Sequence, residues 1–176
     1  EKIWYGFGMV GTELSVAQRV ALLPDDERER MLAGYDPALL MYNWEFWARP
    51  SQYLDPLDHS WYGALYMGGR GSGKTRGGCE WVRGKAMAMP GSRGALVGRT
   101  AADVRDVLID GPSGIMAISP PSERPEYMPS KRRLEWPNGT VATLASSEVP
   151  DSLRGPAFDW AVGDEIATWS TVPDAS

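Results

Sequence analysis

The chain has 176 residues, of which 43% are hydrophobic, and its formal net charge is −5. A chain of this length can bury one sizeable core, so we expect a single domain over residues 1–176. The negative charge excludes a surface that is basic overall, and any nucleic acid would have to bind a local patch or other subunits.

Membrane and secretion signals are missing from the sequence. No run approaches the roughly 18 apolar residues that span a bilayer, and the start lacks the basic and apolar regions of a signal peptide. The only cysteine, Cys79, cannot form an internal disulfide, which favours a reducing compartment. Because the sequence begins without Met and ends at Ser176 without a helix-end signal, we expect a piece of a longer polypeptide.

Three helices are predicted in the N-terminal part of the chain. Apolar residues recur at helical spacing behind Ser15, and residues that favour a helix start open two further stretches at Pro24 and Asp36. The stretches cover residues 15–23, 24–34 and 36–48, and a loop follows over residues 51–60. We therefore expect residues 1–60 to form an irregular, helical arm that packs before the main fold.

The central part of the chain alternates between short apolar runs and helical stretches. Residues 61–67 and 95–97 predict buried strands, and a further short apolar segment covers residues 115–118. Helical patterns lie between them, over residues 74–89 and 101–110. This alternation predicts a parallel sheet with helices on its faces.

A hairpin and a last strand complete the pattern. Residues 133–136 and 140–144 flank a Pro-Asn-Gly turn, which predicts a β-hairpin inserted into the parallel pattern. Residues 158–162 predict a last strand that is followed by Gly, Asp and Glu. The predicted fold class is therefore α/β, with a mostly parallel central sheet flanked by helices.

Between a predicted strand and a predicted helix lies GGRGSGKT, which satisfies the Walker A pattern G-x-x-x-x-G-K-[ST]. Glycines let successive N–H groups point inward at phosphates, and the following helix adds its positive end. Lys74 should reach the β- and γ-phosphates, and the Thr75 hydroxyl should bind Mg²⁺. The alternative is a flexible turn with a solvated lysine. The predicted nucleotide-binding residues of this loop are Gly68, Gly69, Arg70, Gly71, Ser72, Gly73, Lys74 and Thr75.

Two adjacent carboxylates end the last predicted strand, in FDWAVGDEIATW. As a Walker B pair, Asp164 would hold Mg²⁺ and Glu165 would act as general base on the attacking water. Small-molecule kinases need no second carboxylate because their substrate brings the nucleophile, so the pair favours hydrolysis. The alternative is that both residues cap the next helix.

Four sequence blocks, in this order, resemble the ATPase domain of tailed-phage large terminases: WARPSQ, GALYMGGRGSGKTRGGCEWVRGKA, GRTAADVRDVLIDGPSGI and PSKRRLEWPNGTVATLASSEVPDSLRGPAFDWAVGDEIATW. The resemblance extends over residues 44–170. It implies a P-loop NTPase fold of the ASCE type, with ATP and Mg²⁺ as cofactors. It also implies a motor that couples ATP hydrolysis to the translocation of double-stranded DNA into a procapsid.

The resemblance also implies roles for single residues. Arg70 matches an arginine that contacts the γ-phosphate from within the loop, although it could be a solvated loop arginine. Arg154 matches an arginine finger that enters the neighbouring subunit of a ring, and an ion pair with Asp151 or Asp159 is the competing interpretation. Arg49 and Gln52 resemble an adenine-side motif whose glutamine amide selects the base. The implied catalytic residues are Arg70, Lys74, Arg154 and Glu165.

Partners and location follow from the same resemblance. It implies double-stranded DNA, a homo-oligomeric ring, a portal protein and a small terminase subunit, in the host cytoplasm with transient docking on the procapsid. The basic cluster of Lys131, Arg132 and Arg133 could contact DNA phosphates, or it could be a solvated charge run on an edge strand. We expect no role for His59 and packing roles for the tryptophans.

Two other functions stay open on the residues alone. A helicase or another P-loop ATPase would carry the same loop and Asp-Glu pair. A nucleotide-binding assembly module would bind without turnover, but such a module would not need a general base at Glu165. The large terminases continue with a coupling segment and a nuclease domain, whereas this chain ends soon after Glu165, so we expect no nuclease activity here.

Overall fold

The computed structural model describes residues 3–7, 13–154 and 157–169. The chain divides into two compact units, Glu1–Trp81 and Val82–Ser176, and the boundary falls inside one continuous helix. The expected single domain, with an arm over residues 1–60 and a core over residues 61–176, stays a prediction.

Short helices make up much of the first unit. Helix α1 begins behind a capping box, in which the Ser15 hydroxyl accepts from the Gln18 backbone N–H and the Gln18 side chain accepts from the Ser15 N–H. Helix α1 packs against α4, and Val20 and Phe46 are buried. The helices are α1 (Val16–Ala21), α2 (Asp25–Leu32), α3 (Pro37–Leu40) and α4 (Trp44–Trp47).

The predicted helix over residues 36–48 is two helices. Helix α3 is capped by Asp36, whose side chain accepts from the Ala38 N–H. Asn43 then takes an extended conformation and its side chain accepts from the Phe46 N–H, so a new helix starts there. A polar cap inside the apolar pattern therefore divides the helix. A 3₁₀ turn over Pro50–Gln52 follows.

Two parallel strands complete this unit. Strand β1 (Ile3–Phe7) pairs with β2 (Gly63–Met67), with Ile3 opposite Gly63. The expectation of an irregular, helical start was wrong for β1. Its partner lies some sixty residues further along the chain, and local patterns carry no information about such pairing.

Helix α5 (Lys74–Ala88) follows β2 after a glycine-rich loop, and its buried residues include Cys79, Val82 and Ala86. These residues recur at helical spacing, so α5 turns one apolar face to the protein interior. Within the described residues, no helix has the length and hydropathy needed to cross a membrane.

A five-stranded mixed sheet forms the second unit, in the order β4-β5-β6-β3-β7. The neighbours of β3, which are β6 and β7, run parallel to it, whereas β4-β5 and β5-β6 are antiparallel pairs. The α/β class with a central sheet is confirmed, but the described strands are less parallel than expected. The strands are β3 (Arg93–Gly98), β4 (Glu126–Met128), β5 (Arg133–Glu135), β6 (Val141–Ser146) and β7 (Trp160–Gly163).

The β5-β6 hairpin, one of the two antiparallel pairs, holds the end of α5. The turn between β5 and β6 contains Gly139 at φ +85°. Asn138 Nδ2 donates to the carbonyl of Ala86 at 2.7 Å, and the buried Thr140 hydroxyl donates to Ala86 and Met89 at 3.2 and 3.1 Å. The Ala86 carbonyl lies in the last turn of α5, where helix carbonyls need donors from outside the helix, and the hairpin supplies them.

One helical stretch packs on β3 and β6. It begins as α6 (Ala101–Asp103), capped by Thr100, and widens into π-helical turns over Val104–Ile109, where the Asp110 N–H bonds to the Arg105 carbonyl at 2.9 Å. The apolar segment that follows is helix α7 (Ile115–Ile118), which is almost fully buried at both ends.

Candidate functional site

The glycine-rich loop, residues 68–75, connects β2 to α5. Gly71 and Gly73 have φ of +78° and +85°, in the left-handed region that only glycine adopts without strain. The Ser72 N–H donates to the Gly69 carbonyl at 3.3 Å, which tightens the turn. Because α5 has 15 residues, its positive end adds to any anion-binding tendency of this loop.

Lys74 is the first residue of α5, and its side chain lies on the loop. Its Nζ donates to the carbonyls of Gly68 at 2.9 Å and Gly69 at 3.3 Å. The ammonium therefore sits beside the same backbone whose N–H groups would contact phosphates.

A cavity of about 200 Å³ opens above the loop. Its lining contains three cations, Arg49, Arg70 and Lys74, and none of the described lining residues is acidic. A pocket with this charge suits an anionic ligand. The lining residues are Arg49, Ser51, Gln52, Tyr66, Met67, Gly69, Arg70, Gly71, Ser72, Gly73 and Lys74.

Arg49 and Gln52 contact the loop from the 3₁₀ turn. Arg49 Nη2 and Gln52 Nε2 both donate to the carbonyl of Ser72, at 3.0 and 2.9 Å. Gln52 Oε1 accepts from the Arg49 N–H at 3.1 Å, so both ends of the amide already bond within the protein. The structure brings these two residues to the loop, and their contact with adenine stays a prediction.

Tyr66 is a site residue that the sequence analysis missed. Its hydroxyl donates to the Gln52 carbonyl at 2.6 Å, and burial raises the pKa of this phenol well above its ordinary value. A Cβ on Gly77 would lie 3.1 Å from the same carbonyl, so a glycine lets α5 approach the turn. A tyrosine within an apolar strand was the available signal, because a buried phenol usually finds a hydrogen-bond partner.

The aromatic residues near the turn have packing roles. Phe46 is buried, and Trp47 is half exposed with its indole N–H bonded to the Leu40 carbonyl. Trp44 lies under the Arg76 guanidinium, 5.4 Å from ring centroid to carbon, and Arg76 also bonds to Glu80. This cation–π contact holds the side chain of Arg76, the residue after Thr75. Arg76 is not among the residues that line the cavity.

The carboxylate pair lies in the second unit, at the carboxyl end of β7. The Asp164 N–H donates to the Val97 carbonyl at 2.9 Å, and the Asp164 carbonyl accepts from the Trp169 indole at 3.0 Å. Glu165 is exposed and has φ +49°, a conformation that costs free energy for any residue other than glycine. A 3₁₀ turn follows, in which the Thr168 N–H and hydroxyl both donate to the Glu165 carbonyl at 2.8 Å. The chain therefore turns sharply at the residue predicted to be the base.

Arg154 forms the ion pair that competed with the finger interpretation. Its Nη1 lies 3.0 Å from Asp151 Oδ1, and both side chains are mostly exposed. Asp159 instead accepts from the Arg93 N–H at 2.8 Å. An exposed pair is weak, so the guanidinium can leave Asp151 for a stronger anionic partner.

The basic cluster does not lie on an edge strand. Lys131 and Arg132 are exposed in the turn between β4 and β5, and Arg132 has φ +49°. Arg133 forms an ion pair with Glu135 within β5, which is an inner strand of the sheet. The alternative that the cluster is a charge run on an edge strand was therefore wrong, because β4 pairs with β5 and forms the edge of the sheet. His59 is exposed in the loop before β2, where it was expected to have no role.

A metal site built by protein side chains alone is not visible in the described part of the chain, where no three His, Cys, Asp or Glu residues cluster. Mg²⁺ bound to a nucleotide differs from such a site, since it keeps waters and takes one or two protein oxygens together with phosphate oxygens. The hydroxyl of Thr75 and the carboxylate of Asp164 are of that chemical type, and their role as ligands stays a prediction.

Comparison with known proteins gives one family and one fold. The model of a family described as the N-terminal part of the large terminase subunit, T4-like-virus type, matches residues 65–172. The large terminase ATPase domain of Thermus phage P74-26 is 19% identical, with a TM-score of 0.50 over 85% of this chain and 61% of that one. A point mutant of that domain is 20% identical, with a TM-score of 0.46 over 58% of this chain and 47% of that one. The chain thus spans less than two thirds of either solved domain, and no curated protein matches it.

Proposed function

Because the chain belongs to the T4-like-virus type of large terminase subunits, we propose that it is the ATP-hydrolysing motor domain that drives double-stranded DNA into a procapsid. The observation that carries this proposal is the cationic cavity above the glycine-rich loop, at the N-terminus of α5. A triphosphate matches this cavity in charge, and the loop supplies backbone N–H donors for it. We also propose that the chain is a P-loop NTPase of the ASCE type, which the family resemblance implies and the carboxylate Glu165 after β7 supports.

The glycine-rich loop and two residues beside it have proposed parts in binding. The backbone of residues 68–75 would bind the phosphates, with Lys74 moving from the carbonyls of Gly68 and Gly69 to the β- and γ-phosphates. Arg70 is exposed at the cavity and would contact the γ-phosphate. Gln52 and Arg49 would lie at the adenine side.

Hydrolysis needs groups beyond the cavity lining. Glu165 would accept a proton from the attacking water, whose oxygen bonds to the γ-phosphorus as the bond to the ADP oxygen breaks. Thr75 and Asp164 would hold Mg²⁺, which neutralises charge on the β- and γ-phosphates. The strained backbone at Glu165 supports this assignment, because such strain is concentrated at functional sites.

Assembly completes the proposed motor. Arg154, weakly paired on the surface, would act as a finger in the neighbouring subunit of a homo-oligomeric ring. Lys131 and Arg132 are exposed cations on a protein of net charge −5, so they offer the kind of local patch that DNA phosphates require. The portal protein and the small terminase subunit are the further proposed partners, in the host cytoplasm at the procapsid.

ATP binding and turnover across a series of protein concentrations test the proposal. We expect saturable ATP binding, and turnover that rises more steeply than linearly with protein concentration because the finger comes from a neighbour. Binding without turnover at any concentration would favour a nucleotide-binding assembly module. Separation of DNA strands in an unwinding assay would favour a helicase.

A further inference from the structure

The carbonyl of Ser72 is fixed by two donors from outside the loop. Gln52 Nε2 lies 2.9 Å from this oxygen and Arg49 Nη2 lies 3.0 Å from it. Ser72 stands between Gly71 and Gly73, the two residues of the loop with positive φ. The donors therefore act between two glycines, whose backbone has more accessible conformations than that of any other residue.

The Gln52 side chain is itself held in place. Its Oε1 accepts from the Arg49 N–H at 3.1 Å, and its backbone carbonyl accepts from the Tyr66 hydroxyl at 2.6 Å. A Cβ on Gly73 would lie 2.1 Å from Gln52 Nε2. The amide thus packs directly on the loop and occupies the space that any other residue at position 73 would need.

Peptide geometry connects this contact to phosphate binding. In a trans peptide unit the carbonyl and the following N–H point in opposite directions. Holding the Ser72 carbonyl therefore also fixes the direction of the Gly73 N–H. A flip of this peptide would aim a carbonyl oxygen at an anion and remove one donor from the row that binds it.

We propose that Gln52 is a positioning residue for the glycine-rich loop, acting together with Arg49 on the Ser72 carbonyl. Its effect on binding extends to any polyphosphate, whatever base that ligand carries. This inference rests on the proposed nucleotide binding and adds to it a role that is separate from selection of adenine. A residue that only reads the base affects ATP and leaves a base-free polyphosphate unaffected.

Binding of ATP, GTP and inorganic tripolyphosphate separates the two roles. Gln52→Met keeps a side chain of similar length and removes the donor, and Gln52→Ala removes the whole contact. We expect each substitution to weaken all three ligands by about tenfold, the factor that corresponds to one hydrogen bond of ordinary strength. A change in the ATP-to-GTP affinity ratio on top of this common loss would report the separate contact of the same amide with the base.

Tyr53→Phe is the matched control, because it deletes a hydrogen bond to Glu45 from the next residue and leaves the loop untouched. It should bind tripolyphosphate like the wild type. Loss of ATP affinity alone in Gln52→Met, with tripolyphosphate binding unchanged, would overturn the inference and leave the proposed function standing. Failure of the wild-type chain to bind ATP would overturn both. A lower thermal unfolding midpoint in Gln52→Met without any loss of tripolyphosphate affinity would also overturn the inference, because the two side-chain bonds would then stabilise the fold alone.

Discussion

Lys74 Nζ donates to the carbonyl of Gly68 at 2.9 Å, so the ammonium group lies on the glycine-rich loop that is proposed to bind the phosphates. Binding of a triphosphate would exchange carbonyl partners for phosphate oxygens, and hydrogen bonds between charged groups are the stronger kind. Lys74→Ala should weaken ATP binding by roughly 10- to 100-fold, measured by calorimetric titration. Arg30→Ala removes an exposed cation of α2 that pairs with Asp26, and it should bind ATP normally. Equal affinities in both variants would contradict the role of Lys74.

The position of this loop follows from local chemistry, which explains why the sequence was sufficient to predict it. Glycines mark the loop, an apolar run precedes it, and a long helical pattern follows it. In the structure β2 ends at Met67 and α5 begins at Lys74. Such signals depend on neighbouring residues alone.

Contacts between residues that are distant in the sequence could not be predicted from the sequence patterns. Strand β4 has three residues in a proline-rich stretch and exists because β5 pairs with it. The hydrogen bond from Gln52 to Ser72 joins positions 20 residues apart, and no sequence periodicity indicates such a pair. The ASCE assignment and the roles of the four residues Arg49, Gln52, Arg70 and Arg154 rest on family resemblance, whereas the Walker A and Walker B roles rest on the motifs themselves. All of them stay predictions.

Glu165→Gln tests the proposed base. The substitution keeps the size of the side chain and removes its ability to accept a proton, so turnover should fall by roughly 10²- to 10⁴-fold with ATP binding unchanged. Phosphate release at saturating ATP is the measurement, and Glu126→Gln on β4 is a control that should turn over normally. Turnover at the wild-type rate in Glu165→Gln would remove Glu165 from the mechanism.

The left-handed backbone at Glu165 gives a second, independent test. Glycine adopts φ +49° without the strain that a side chain imposes there. Glu165→Gly should therefore raise or preserve the free energy of unfolding, by up to about 1 kcal/mol, while it abolishes turnover. Urea denaturation and phosphate release measured on one preparation give both values. A large loss of stability would indicate that the carboxylate has a structural role.

Trp160 fills the space beside Gly94 in the sheet. A Cβ on Gly94 would lie 2.1 Å from the Trp160 ring, whose indole N–H donates to the Ser92 hydroxyl at 3.1 Å. Gly94→Ala should destabilise the fold by about 1–3 kcal/mol, since the buried Trp160 ring, on a strand paired with that of Gly94, has little freedom to move. Gly34→Ala, where nothing lies within 4 Å of the added Cβ, should leave stability nearly unchanged. Similar unfolding midpoints for both variants would contradict this packing.

Complementation between two inactive variants tests whether Arg154 acts in a neighbouring subunit. Arg154→Ala should bind ATP and lose turnover, and it should keep the stability of the wild type because its partner Asp151 is exposed. Glu165→Gln retains Arg154 and lacks the base. In a mixed ring, a Glu165→Gln subunit can supply its arginine to the intact base of an Arg154→Ala neighbour. We therefore expect phosphate release to reappear on mixing. If the mixture releases no phosphate under conditions in which the wild type assembles and hydrolyses ATP, Arg154 acts in the site of its own subunit.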